Sequence, residues 1–329
     1  MKICIIGSSG HYGYALNGIR ADGQSDIAGL SKGDKDENIE GLIKQVREAG
    51  YQPEVYDDPV EMIDELKPDI AVINTFFHKN SKLAIEAMKR GINVYIEKPV
   101  ALTLEELDRL IEVYNQTQVK LSTMLGIRYS PHFWTAHNLV KNNKIGEIRL
   151  IHAQKSYKLG VRPEFYKRRE TYGGTIPWVG IHAIDWIYWF SGKKFKNVYA
   201  SHSSLFNNNN GELEVTAVCN FTLEDEVLAT VNIDYLRHSS APTHGDDRVR
   251  IVGTEGVVEV INEKVFLLGQ DTDGQKEVPP EQGPVTFLDF IWEVRGIGKC
   301  LVSAEDSFYV TRASLLARES ADRNEIISF

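Results

Sequence analysis

Three short stretches carry residues whose types and spacing suit chemistry. The first is Glu97-Lys98-Pro99, which follows Asn93-Val94-Tyr95-Ile96. That tetrapeptide is rich in β-formers and reads as a short buried strand. Pro99 crowds an α-helical predecessor, so Lys98 is biased towards an extended backbone. A lysine at the carboxyl end of a parallel strand faces the crevice where open α/β sheets bind ligands. There its charge can favour an alkoxide-like transition state. Taken alone, the same residue could be a solvated charge beside a turn proline.

The second stretch is Gly7-Ser8-Ser9-Gly10-His11-Tyr12-Gly13, set between the first apolar run and a helix. Small residues let a backbone approach a pyrophosphate, and a helix N-terminus offers free N–H groups and a positive dipole end. The spacing is G-x-x-G-x-x-G, so Ser9 stands where the common dinucleotide fingerprint has its second glycine. The second strand of such folds ordinarily ends in an acid that binds the ribose 2′-hydroxyl of NAD. Here Asp26–Leu30 runs into Ser31-Lys32-Gly33-Asp34. Ser31 takes the acidic position and Lys32 could neutralise a 2′-phosphate, which leans the expectation towards NADP. Lys32 could equally be a solvated loop charge, and Asp34 could fold back onto a ribose.

The third stretch runs from Gly173-Gly174-Thr175 through Trp178 to His182 and Asp185. His182 and Asp185 are three apart, hence neighbours on one face of a helix. Histidine has the intrinsic pKa for moving a proton near neutral pH. The competing reading is a buried histidine satisfied by Asp185, in a helix whose Trp186, Ile187, Trp189 and Phe190 are core. No other histidine pairing has metal-ligand spacing, so no metal is expected. His132, His137, His238 and His244 are assigned to surfaces or loops.

Strands and helices must hold these stretches in place. From Met1 to about Leu125 short apolar strands alternate with amphipathic helices. The clearer strands are Ile3–Ile6, Asp26–Leu30, Ile70–Asn74, Asn93–Ile96 and Lys120–Leu125. Ile39, Leu42, Ile43 and Val46 form one helical stripe. Asp58-Pro59 supplies an N-cap followed by proline at the first helical position. Leu83, Ala84, Ala87 and Met88 form a second stripe closed by Gly91, and Thr103 with Glu106 makes a capping box. Such alternation implies a parallel sheet covered on both faces.

After about Gly126 the pattern changes. A helix from near Pro131 leads to Asn142, and longer alternating strands follow. These are Ile148–Tyr157, Asn197–Leu205, Leu213–Phe221, Val227–Leu236, Val249–Val252 and Val257–Ile261. Runs of strands separated by turns suggest a largely antiparallel sheet. Gly269–Pro284 reads as a long polar loop, and Ser303 opens a terminal helix through about Arg323. The expected fold class is α/β, with domains at 1–125 and 126–329.

The chain has 329 residues, 42% hydrophobic and 25% charged, which fits an ordinary globular protein with a large core. A formal charge of −9 disfavours a general nucleic-acid or anionic-membrane binder, since both need a basic surface. No apolar run approaches a membrane span, and the first residues show no signal-peptide pattern. Cys4, Cys219 and Cys300 are odd in number and far apart. A reducing cytoplasm is the expected home.

Together these stretches resemble the Gfo/Idh/MocA family, named after glucose–fructose oxidoreductase and inositol dehydrogenase. The resemblance covers nearly the whole chain. It includes Glu97-Lys98-Pro99 with Val100-Ala101-Leu102-Thr103, then Arg128-Tyr129-Ser130-Pro131 and Ile145-Gly146-Glu147. It continues through Gly173 to Asp185 and Gly253-Thr254-Glu255-Gly256. It implies a Rossmann domain joined to an α/β domain with an open, mostly antiparallel sheet. It also implies a nicotinamide cofactor, a sugar-like or polyol substrate, and association into homodimers or homotetramers through sheet faces. Lys98 would hydrogen-bond the reacting oxygen and His182 would serve in proton transfer, with Asp185 lining the substrate site. Cofactor contacts are expected from Gly7, Ser8, Ser9, Gly10, His11, Tyr12, Ser31, Lys32, Thr75, Phe76, Asn80 and Glu97.

Two departures stand out. Many members carry an aspartate four residues before the histidine, where this chain has Trp178. Tryptophan accepts no proton, but its ring can wall a sugar site. The usual Thr-Pro turn is Thr75-Phe76 here, and Asn80 replaces a frequent histidine. Arg168, Arg169 and Tyr172 could reach a substrate or lie in a solvated loop. The reading is an NAD(P)-dependent oxidoreductase of hydroxy-compounds. A non-enzymatic NAD(P)-binding sensor or regulatory subunit is one alternative, and a lyase or glycosidase using bound NAD transiently is another.

Overall fold

Short apolar runs alternating with amphipathic stripes build β1 (Lys2–Ile6), α1 (Gly13–Asp22), β2 (Asp26–Ser31), α2 (Glu40–Glu48), β3 (Glu54–Tyr56) and α3 (Pro59–Leu66). The series continues with β4 (Ile70–Ile73), α4 (Phe77–Lys89), β5 (Asn93–Ile96), α5 (Leu104–Gln116) and β6 (Leu121–Thr123). Next come α6 (Pro131–Lys141), β7 (Ile148–Tyr157), one turn α7 (Arg169–Tyr172), α8 (Ile181–Ser191), β8 (Phe195–Ser203), β9 (Thr216–Leu223) and β10 (Leu228–Asp234). The chain ends with β11 (Gly245–Gly253), β12 (Gly256–Ile261), β13 (Lys264–Gly269), β14 (Lys276–Val278), α9 (Leu288–Val294), α10 (Ala304–Arg323) and β15 (Ile327–Ser328). This computed structural model describes residues 1–270 and 272–329; Asp271, inside the expected Gly269–Pro284 loop, lies outside the described residues.

The chain is α/β and forms two compact units. The first contains Met1–Gly126, Glu170–Tyr172 and Pro284–Thr311. Its sheet has the order β3-β2-β1-β4-β5-β6 with every pair parallel. That is the doubly wound arrangement, with its switch point between β1 and β4. The carboxyl ends of β1, β2, β4 and β5 lead directly into Gly7, Lys32, Asn74 and Glu97. Phe287, Phe290 and Ile291 join the core of Ile3, Ile5, Val72 and Tyr95, which is why Pro284–Thr311 belongs to this unit although it follows the second sheet in sequence.

Local signals hold the helices. The Asp58 carboxylate accepts from the N–H groups of Val60 and Glu61 at 2.7 and 3.1 Å. Thr103 Oγ1 accepts from the Glu106 N–H at 3.1 Å, and Ser303 Oγ from the Asp306 N–H at 3.0 Å. Each satisfies donors that a helix start leaves open.

The second unit contains Ile127–Arg169, Gly173–Gly283 and Arg312–Phe329. Its nine-stranded sheet runs β14-β13-β12-β11-β7-β10-β9-β8-β15. Only the β7–β10 pair is parallel. Helices α6 and α8 pack on one face of this sheet. The expected loop Gly269–Pro284 is corrected in part: Lys276–Val278 pairs with β13, Val265 opposite Val278. Three residues among charges are too few to reveal a strand by periodicity. Among the described residues no helix is long and apolar enough to cross a membrane.

Candidate active site

The glycine turn is drawn tightly against the ends of β4 and β5. Gly7 has φ +78°, and a Cβ there would lie 2.6 Å from the Thr75 Cα. A Cβ on Gly10 would lie 2.2 Å from Glu97 Oε2, so that carboxylate needs the glycine beside it. The turn is fixed by the Gly7 N–H donating to the Ser31 carbonyl at 2.8 Å and the Ser9 N–H to the Asn74 carbonyl at 2.7 Å. Tyr12 packs against the first unit's core.

Glu97 is fully buried and bridges to that turn. It accepts from the His11 backbone N–H at 2.6 Å and ring Nδ1 at 2.8 Å, and from the Lys98 N–H at 3.0 Å. Burial opposes its charge, yet the His11 ring and the Lys98 ammonium hold its carboxyl below the usual carboxylate range. Lys98 itself is 1% exposed, buried beyond β5 rather than solvated.

The loop after β2 places a residue that sequence reasoning missed. Glu37 is buried and its carboxylate has four donors: the N–H groups of Ser8 (2.9 Å) and Gly33 (3.0 Å), and the hydroxyls of Ser9 (2.6 Å) and Thr75 (2.7 Å). It lies six positions beyond Ser31, in a run of charges with no periodicity to mark it. Lys32 turns instead to Asp57, 3.2 Å away, and Asp34 lies 3.3 Å from Lys79. Ser31 is buried and donates its hydroxyl to the Lys32 carbonyl at 3.0 Å.

Asn74 and Asn80 are fully buried, and neither end of either side-chain amide has a hydrogen-bond partner among the described residues. Buried amides left open in this way mark a place where a polar ligand belongs. Phe76 stacks on His78 at 6.4 Å, and Tyr172 packs on Phe77 at 6.3 Å.

In the second unit the Gly173–Thr175 turn launches a π-helical turn, Ile176–Gly180, that runs into α8. Buried Glu214 anchors it, accepting from the Thr175 N–H at 3.0 Å, while its own carbonyl accepts from Thr175 Oγ1 at 2.6 Å. Arg169, given above as a candidate substrate contact, pairs with Glu214 and Asp322. His182 is 2% exposed, at the second position of α8. Asp185 accepts from the buried Arg128 guanidinium, whose Nε lies 3.1 and 3.0 Å from its two oxygens. Sequence reasoning had not given Arg128 this role. Trp178 is buried with its ring edge-on to Tyr166 at 6.2 Å.

A cavity of about 600 Å³ opens in this unit beside Lys155, Tyr157, Arg237, Asp246 and Asp247. Lys155 is 2% exposed, with Nζ 2.5 Å from Asp247 Oδ2 and 4.8 Å from the Tyr157 ring centre. Arg237 lies 2.9 Å from Asp246. The cavity therefore carries paired charges and an aromatic wall.

Residues 1–125 match a family described as "Oxidoreductase family, NAD-binding Rossmann fold", and residues 133–259 match the GFO/IDH/MocA C-terminal domain. The chain belongs to the Gfo/Idh/MocA oxidoreductase family. A Thermotoga maritima protein provisionally classed as an oxidoreductase is 52% identical over 100% of both chains, with a TM-score of 0.96. A levoglucosan dehydrogenase bound to NADH and levoglucosan shares the fold at 17% identity and TM-score 0.85, over 100% of this chain and 98% of that one. An aldose-aldose oxidoreductase from Caulobacter crescentus does so at 19% and 0.84, over 100% and 99%. Comparison with curated proteins gives no match.

The residues of this Gfo/Idh/MocA chain fit a nicotinamide dinucleotide. The absence of a side chain at Gly7 and Gly10 lets the turn sit tightly against Thr75 and Glu97, and the amides of Asn74 and Asn80 await polar partners. The turn, Thr75, Phe76, Asn80 and Glu97 would hold the cofactor.

Proposed function

We propose that this protein transfers a hydride between nicotinamide dinucleotide and a secondary alcohol of a sugar, polyol or related hydroxy-compound, or its ketone. The observation that carries the reading is Lys98, 1% exposed directly beyond β5 and joined through Glu97 to the glycine turn. A buried ammonium at this edge of a nucleotide-binding sheet suits work on a substrate oxygen rather than solvation. The names of two fold neighbours, a levoglucosan dehydrogenase and an aldose-aldose oxidoreductase, point the same way.

Bound nicotinamide supplies or receives the hydride. Lys98 donates a hydrogen bond to the substrate oxygen, and its charge favours the alkoxide-like transition state. His182 takes the hydroxyl proton in oxidation and returns one in reduction. Asp185, held by Arg128, fixes the helix that carries His182. Trp178 offers a ring against which a sugar can pack, in place of an acid. The charge-paired lining around Lys155 and Arg237 suits a neutral polyhydroxylated compound better than an ionic one. Homodimers or homotetramers would form through the open face of the second sheet, where Tyr199, Val218 and Leu228 are exposed.

The test is a panel of unphosphorylated sugars and polyols, with their keto forms, read by net nicotinamide absorbance change. Steady turnover on at least one member is expected. Firm cofactor binding without hydride transfer across the panel would replace this reading with a sensor role. Product formation without net absorbance change would replace it with transient oxidation in a lyase.

A further inference from the structure

We infer that Glu37 makes this protein selective for NAD(H) over NADP(H) by fixing a carboxylate at the adenosine ribose subsite. The inference rests on the reading that the crevice binds a nicotinamide dinucleotide. In doubly wound folds the ribose lies between the glycine turn and the end of the second strand, where an acid normally meets it. This chain has no acid at the end of β2, where Ser31 stands. Glu37 reaches back from the following loop and touches both sides of that place, Ser8 and Ser9 on the turn and Gly33 after β2.

The donor set explains how such a carboxylate could exchange partners. A carboxylate offers about four lone-pair sites, and here each oxygen has one backbone N–H and one hydroxyl donor. Oε1 accepts from the Ser8 N–H and Ser9 Oγ, and Oε2 from the Gly33 N–H and Thr75 Oγ1. The two N–H groups are fixed by the backbone and keep the carboxylate in place. The two hydroxyls rotate. They can turn away as the 2′- and 3′-hydroxyls of a ribose arrive, one hydroxyl replacing another at each oxygen.

A 2′-phosphate breaks this exchange twice. It removes a donor and brings a charge of about −2 at neutral pH against the carboxylate. Two of the cations near this place already face acids: Lys32 lies 3.2 Å from Asp57, and Lys79 lies 3.3 Å from Asp34. On this inference the preference is for NAD(H), where Ser31 and Lys32 taken alone lean towards NADP.

The experiment titrates NADH and NADPH separately into the full chain, with affinity read by calorimetry. Wild type, Glu37→Gln, Ser9→Ala and Thr75→Val are compared, and thermal melting without cofactor checks folding. Wild type is expected to bind NADH at least about 100-fold more tightly, because like-charge juxtaposition is strongly penalised. Glu37→Gln is expected to narrow that ratio at least about tenfold, mainly through tighter NADPH binding. Ser9→Ala and Thr75→Val keep the charge and should keep the preference. Equal affinities in wild type, a preference for NADPH, or an unchanged ratio in folded Glu37→Gln would each overturn the assignment. Should Glu37→Gln fail to fold, the wild-type ratio and the two hydroxyl variants decide. Binding of neither dinucleotide to wild type would overturn the cofactor reading itself, and this assignment with it.

Discussion

The Glu97 carboxylate accepts from both nitrogen donors of His11, the backbone N–H at 2.6 Å and the ring Nδ1 at 2.8 Å. The residue preceding Lys98 thus grips the turn that leads into α1. Cofactor turn and candidate catalytic lysine share one buried brace, so disturbing it should be felt in both.

Replacing Glu97 with Gln is expected to cost about 1–3 kcal/mol, the usual penalty for spoiling a buried hydrogen-bonded group, and to weaken NADH binding. The pH dependence has a definite sign. Glu97's carboxyl is held below its ordinary value, against burial, by His11 and Lys98. The stability this contributes is present above the unfolded glutamate pKa of about 4.3 and is lost as pH falls through the lower folded value. Urea midpoints from neutral pH into acid should therefore fall less steeply for Glu97→Gln. Identical acid limbs in the two proteins would contradict the brace.

Asp185 and Arg128 form a buried pair, 1% and 2% exposed. Removing one partner leaves an uncompensated charge, at a cost of about 3–5 kcal/mol. Asp185→Ala and Arg128→Ala should each show that loss in chemical denaturation, and the double variant should lose clearly less than their sum. Additive losses below about 1 kcal/mol each would show instead that the pair does not hold α8.

His137 stacks on Trp189 with ring centres 4.0 Å apart and an interplanar angle of 2°. Burial, with the charges of Arg128 and Lys141, pushes its pKa down to about 4. Between that value and the unfolded histidine pKa of about 6.5, the unfolded chain binds the extra proton. Stability should therefore fall as pH drops through this window, and His137→Gln should flatten that slope. A midpoint profile unchanged by the substitution would disprove the shift.

Exposed apolar residues on neighbouring strands of the second sheet, Tyr199, Val218 and Leu228, suit self-association. Light scattering should give a mass of two or four chains, and Val218→Asp with Leu228→Asp should lower it. A monomeric wild type would refute this surface.

Much of the fold was legible because its signals are local. Asp58-Pro59, Thr103 with Glu106 and the strand Ile148–Tyr157 lie where period and capping put them. β3 (Glu54–Tyr56) and β14 are three residues each and owe their form to paired neighbours, so no window shows them. In the site, the glycine turn and Lys98 were visible because each sits directly after a strong strand. Glu37 and Arg128 were not. Their importance depends on which distant donor or acid the chain brings to them, Ser8 and Thr75 for one and Asp185 for the other.

The most direct measurement compares Lys98→Met with wild type for hydride transfer and NADH affinity, on whichever panel member turns over. Turnover is expected to fall about 100- to 1,000-fold, the usual scale for losing one charge-stabilising donor. NADH affinity should stay within about threefold, because the brace on the turn is Glu97 and not Lys98. Undiminished turnover would contradict the assignment of Lys98 to the reacting oxygen, and so would a loss of NADH affinity in step with rate.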